Sequence, residues 1–78
     1  MTPCRKPSII SQFYPSHSRV KLIDDKNIIF LEGNTAILWS YINGKFTVER
    51  ISELCGIHIS EVLYLVKILK YKNLLEIN

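Results

Sequence analysis

The chain has 78 residues, room for one small domain with a single modest core. Hydrophobic residues make up 47% of it, against three Gly and three Pro, which excludes a disordered tail. The net charge of +3 permits nucleic-acid binding without implying it, because nucleic-acid binders gather Lys and Arg on one face. Here Arg5, Lys6, Arg19, Lys21, Lys26, Lys45 and Arg50 are scattered, and only Lys67, Lys70 and Lys72 cluster.

In chain order, residues 1–7 read as a flexible lead-in to a single domain spanning 1–78. Residues 1–18 carry Pro3, Pro7 and Pro15 among polar residues, with no apolar stretch long enough for a secretory signal. The longest uninterrupted apolar run, Val62 to Val66, is far too short to span a bilayer. Cys4 and Cys55 are two distant cysteines with no CxxC, so no disulfide framework is expected. A cytoplasmic, membrane-free protein is the expectation.

Residues 8–14 form the first predicted strand, bounded by Pro7 and Pro15. Residues 19–23 and 28–31 flank Asp24-Asp25-Lys26-Asn27, a cluster of turn formers. Closing that turn as a hairpin pairs Ile23 with Ile28, Leu22 with Ile29 and Val20 with Leu31. One face then carries Val20, Leu22, Ile29 and Leu31 and is the core face. The other carries Lys21, Ile23, Ile28 and Phe30, more apolar than a solvated face. The 19–23 strand sits in the middle, which leaves 28–31 as a sheet edge.

Gly33-Asn34-Thr35 breaks the strand pattern, with Asn34 or Thr35 as an N-cap. A short buried helix follows from Ala36 to Ile42, stopped by Asn43-Gly44. Thr47 caps a second helix that points Ile51 and Leu54 inward and ends at Gly56. Ser60 caps a third helix over 61–72, Asn73 closes it, and Leu74 to Ile77 is a short strand or extended tail. The second helix, the Cys55-Gly56-Ile57 turn and the third helix make a helix-turn-helix. The fold predicted is α+β: a winged helix-turn-helix, with a three-stranded antiparallel sheet and a three-helix bundle.

The third helix carries more apolar surface than its position requires. Val62, Leu65, Val66 and Leu69 follow one i, i+3, i+4, i+7 face and account for the core. Tyr64, Ile68 and Tyr71 repeat the spacing on another face, and Leu63, Lys67 and Lys70 form a mixed edge. One use of the second stripe is packing beneath the sheet or the N-terminal segment. The other is a groove against the 28–31 strand, where an extended peptide adds to the strand edge and seats alternate side chains. The candidate peptide-binding residues are Ile28, Ile29, Phe30, Leu31 and Glu32 on the strand. On the helix they are Tyr64, Lys67, Ile68, Lys70 and Tyr71, with the lysines facing acidic residues of the peptide. A second copy of the chain is the other way to cover the edge, as a homodimer.

Three segments carry a family signature: Asn34-Thr35-Ala36-Ile37-Leu38-Trp39, then Asn43 to Ile51 (NGKFTVERI), then Val62 to Leu69 with Asn73-Leu74-Leu75. Together they resemble the PqqD family of pyrroloquinoline quinone synthesis and its relatives, the precursor-peptide recognition elements of ribosomally made natural products. The resemblance covers residues 19–77, and its Thr-Ala-x-x-Trp and Gly-x-x-Thr-Val segments are the more specific parts. It departs where Glu32-Gly33-Asn34 replaces a Leu-Asn-Pro-like joint, where Asn73 replaces a Gly, and in the short segment between the last two helices. The resemblance implies that a precursor's leader peptide adds as a strand between 28–32 and 60–72. It also implies a modifying enzyme as partner: a radical-SAM protein, a cyclase or a leader peptidase.

No catalytic or cofactor constellation is legible. His17 and His58 have no ligand-spaced neighbours, so no metal site is expected. Cys4 and Cys55 have no base beside them in sequence. Gly33, Gly44 and Gly56 form no phosphate loop. The alternative function is a winged-helix DNA-binding transcriptional regulator. Base reading wants Arg, Lys, Asn or Gln on the recognition helix, and this one offers only lysines among tyrosines and isoleucine. The residues after the last helix are also too few for a full wing hairpin.

Overall fold

A computed structural model of the chain describes residues 1–14 and 18–77; Pro15, expected to bound the first strand, and His17 lie outside them. The strands are β1 (Pro3–Arg5), β2 (Ile10–Tyr14), β3 (Arg19–Asp24), β4 (Asn27–Glu32) and β5 (Leu75–Ile77), and the helices are α1 (Asn34–Trp39), α2 (Val48–Cys55) and α3 (Ile59–Tyr71). The three-stranded antiparallel sheet runs β2-β3-β4. With the three helices it makes the α+β, winged-helix-like fold read from the sequence.

The β3–β4 turn sets the register. Asp24 pairs with Asn27, so Asp25 and Lys26 alone form the loop. Asp25 sits at φ 54, the positive angle that the first central residue of a primed turn takes. Ile23 then faces Ile28, Leu22 faces Ile29 and Val20 faces Leu31, as predicted. In a two-residue hairpin the closing pair is hydrogen-bonded, and bonded pairs recur at every second position. The Gly33 N–H donating to the Ser18 carbonyl at 2.8 Å continues that series beyond the strands. Asn27, Ile29 and Leu31 therefore bond to β3. The N–H and C=O groups of Ile28, Phe30 and Glu32 point to the open edge.

The N-terminal segment departs from expectation. Instead of a loose lead-in, Pro3–Arg5 pairs antiparallel with β5. The Pro3 ring is buried, and the Pro3 carbonyl accepts from Gly44 N–H at 3.0 Å. Proline is tolerated in so short an edge strand because no donor is needed from it. Gly44, at φ 81, also lies where a Cβ would meet the Cys4 Sγ at 3.1 Å. The positive φ and the tight approach together favour glycine there. Cys4, expected in a mobile stretch, is held in β1 and bridges to Asn43.

Helix ends follow local chemistry with four differences, the first being that α1 ends at Trp39 rather than at Ile42. The Thr47 hydroxyl caps α2 by accepting from Arg50 N–H at 3.2 Å, and Gly56 ends it at φ 71, both as predicted. However, α1 starts after Gly33, and Asn34 is no cap: its Nδ2 donates to Glu61 on α3 at 2.7 Å. The cap of α3 is the His58 ring, accepting from Ser60 N–H at 3.2 Å, rather than Ser60. Leu54 turns outward, 38% exposed. Asn73 closes α3 in a left-handed conformation at φ 63, with Leu74 N–H reaching back to the Leu69 carbonyl.

The core joins the inner sheet face to all three helices. Trp39, Leu38, Ile42, Ile51, Val62 and Leu22 have no exposed surface. The Trp39 Nε1–H donates to the Ser11 hydroxyl at 2.9 Å, so its polar edge is satisfied. Val66 and Leu69 of α3 are buried as predicted. Leu65, expected beside them, is only half-buried and stands at the shoulder of α3 towards β4.

Candidate functional site

The open edge of β4 runs alongside α3, and the space between them is a cleft of about 250 Å3. Ile29, Leu31 and Thr35 line one wall, and Leu65, Ile68 and Leu69 line the other. Phe30 and Glu32 border it along the strand, and Lys72 sits at its rim. The walls are apolar because β4 directs its odd positions inward and α3 presents the shoulder of its core stripe.

Five of the ten sequence-predicted residues meet here: Ile29, Phe30, Leu31, Glu32 and Ile68. Tyr64, Lys67 and Tyr71 share Ile68 with an adjoining hollow of about 300 Å3 on the outer side of α3. Tyr71 is 91% exposed there. The other two are elsewhere. Ile28 lies on the opposite sheet face, because it pairs with Ile23 and not with a core position. Lys70 lines a hollow on the far flank of α3 with Leu63, Val66 and Ile77.

Thr35, Leu65, Leu69 and Lys72 belong to the cleft but were not among the predicted residues. Lys72 had a signal, since it clusters in sequence with Lys67 and Lys70. Leu69 is buried as expected and forms the base of the cleft, whereas Leu65 stands at the shoulder, which nothing in the spacing distinguishes from a buried stripe.

Electrostatics divide the site. Arg19 reaches across from β3 to Glu32, Nε to Oε1 at 3.5 Å, and its guanidinium lies 4.4 Å over the Phe30 ring. Among the described residues the ion pairs are Arg19–Glu32 and Arg50–Glu53, so Lys67 and Lys72 have no carboxylate partner. An anionic ligand group is favoured at Lys72 on the α3 rim of the cleft, while Lys67 borders the adjoining hollow and the far-flank hollow instead.

Other titratable groups serve the fold. His58 is a helix cap. Burial pushes the Cys55 thiol above its ordinary value, which disfavours the thiolate. Among the described residues no group of three or more His, Cys, Asp or Glu is placed to hold a metal ion. No described helix is long and apolar enough to cross a membrane.

No protein-family model matches the chain. No curated protein matches it either. Among solved structures, the heterocyclase TruD contains a similar fold, with a TM-score of 0.75 and 22% identity. The match covers 95% of this chain and 11% of that one, so the chain spans about a tenth of the heterocyclase's length. What the two share is the fold.

Proposed function

We propose that the chain is a non-catalytic peptide-recognition domain. It holds the leader of a ribosomally made precursor peptide as an added strand along β4 and presents the remainder to a modifying enzyme. The observation that carries this reading is one coincidence of geometry. The edge whose Ile28, Phe30 and Glu32 backbone groups point outward also borders the apolar cleft under α3. Main-chain bonds to the edge supply affinity for any extended peptide, and the cleft selects by its alternate side chains. Lys72 at the rim favours an acidic residue in the same segment, and Lys67 favours one that reaches the adjoining hollow.

The PqqD-like signature in the sequence supports the same assignment. A similar fold within a heterocyclase fits a cyclase as the enzyme served. A radical-SAM protein or a leader peptidase would use the same presentation. In each case the leader acts as a tether that raises the effective concentration of the rest of the precursor at the catalyst. The domain itself needs no nucleophile or metal for that task.

The test pairs two ligands. Labelled peptides tiling the short reading frames that neighbour the gene are titrated against the protein, beside a labelled DNA duplex. Saturable binding of one tile, with no saturable binding of duplex, is expected. Duplex binding without any peptide binding would make the chain a winged-helix DNA-binding regulator.

A further inference from the structure

A strand added to β4 has two faces, and the apolar cleft reads only one of them. Residues opposite Ile29 and Leu31 point into the cleft. Residues opposite Ile28, Phe30 and Glu32 point to the outer face of the sheet, because opposed residues of paired strands share a face. That outer face carries exposed apolar residues among its polar ones, where water normally covers an antiparallel sheet. Ile28 is 57% exposed and Phe30 46%. Ile28 continues a row through Ile23 to Ile10, itself 60% exposed. Exposed apolar patches of this kind mark contact surfaces.

Charge on this face points to the occupant. Arg19 and Lys21 stand against a single carboxylate, Glu32, on the outer positions of β3 and β4. The Arg19 guanidinium lies 4.4 Å from the Phe30 ring on β4 and 5.4 Å from the Tyr14 ring on β2, with Glu32 at 3.5 Å. A carboxylate arriving on a strand beside β4 would share that cation with Glu32.

We infer that the outer face beside β4 is a second recognition subsite for the same extended peptide. It takes apolar or aromatic side chains against Ile28 and Phe30 and a carboxylate at Arg19. The inference rests on the strand-addition reading above and adds a substrate class. The bound segment is apolar at both odd and even positions over about four residues and acidic at one end. A peptide needed only for the cleft would be apolar at alternate positions alone.

The probe is a phage-displayed library of random 12-residue peptides, panned on the full chain. Enriched sequences are synthesised and titrated by fluorescence polarisation. Apolar residues at both parities are expected among them. The Ile28→Thr/Phe30→Thr variant, which keeps strand-forming residues, weakens their binding roughly three- to tenfold. Arg19→Gln removes the preference for the acidic residue. Should the double variant lose its fold by circular dichroism, Phe30→Thr alone replaces it. Enrichment at alternate positions only, or affinity unchanged in the variants, overturns the outer subsite and leaves strand addition standing. Failure of the enriched peptides to protect the Ile28, Phe30 and Glu32 amides from exchange defeats both.

Discussion

At the scale of single residues, neighbours on α3 have opposite duties. Leu69 is 1% exposed and belongs to the core, whereas Ile68 is half-buried at the junction of the cleft and the outer hollow. Leu69→Ala is expected to cost about 2–5 kcal/mol of stability by leaving a cavity. Ile68→Asp leaves a cooperative fold and abolishes peptide binding, because it sets a carboxylate in the apolar floor. Circular dichroism melts and a peptide titration on both variants check this. Loss of the fold in Ile68→Asp would return that residue to the core. The helix periodicity separated Val62, Val66 and Leu69 from Tyr64 and Tyr71 correctly. It placed Leu65 too deep, since an i, i+3, i+4 pattern gives a residue's azimuth on the helix but not how far the neighbouring strand stands off.

At the scale of elements, the β3–β4 hairpin was legible to the residue. Turn formers and matched apolar pairs fix the same register there, and a slip by one would expose the core face. The α2 boundaries were legible because Thr47 and Gly56 act locally. The pairing of β1 with β5 was not, because it joins the two ends of the sequence and no local pattern reports it. Prolines among polar residues suggested a loose segment. The buried Pro3 ring and the bonds from Gly44 and Val48 to the Pro3 and Met1 carbonyls tie it down. Deleting Met1 to Arg5 is therefore expected to destabilise the domain by about 2–4 kcal/mol, from one buried side chain and a few net hydrogen bonds. Urea unfolding measures it. An unchanged midpoint would mean the segment is loose in solution after all.

At the scale of the whole molecule, the scattered positive charge and the Tyr64, Ile68 and Tyr71 stripe of α3 are what favour a peptide over a base edge as the proposed ligand. Its affinity for peptide is expected to fall only modestly with added salt, since each exposed lysine contact is worth about 0–1 kcal/mol. A Lys67→Ala/Lys72→Ala variant loses part of that salt dependence and retains binding. Strand addition at the β4 edge is tested most directly by amide hydrogen exchange at Asn27–Glu32. In the free protein, Ile29 and Leu31 exchange slowly and Ile28, Phe30 and Glu32 quickly. With the tightest tiled peptide bound, the latter three become protected while the former keep their rates. Equal protection of all five with and without peptide would show the edge already paired, as in a homodimer, and would contradict strand addition.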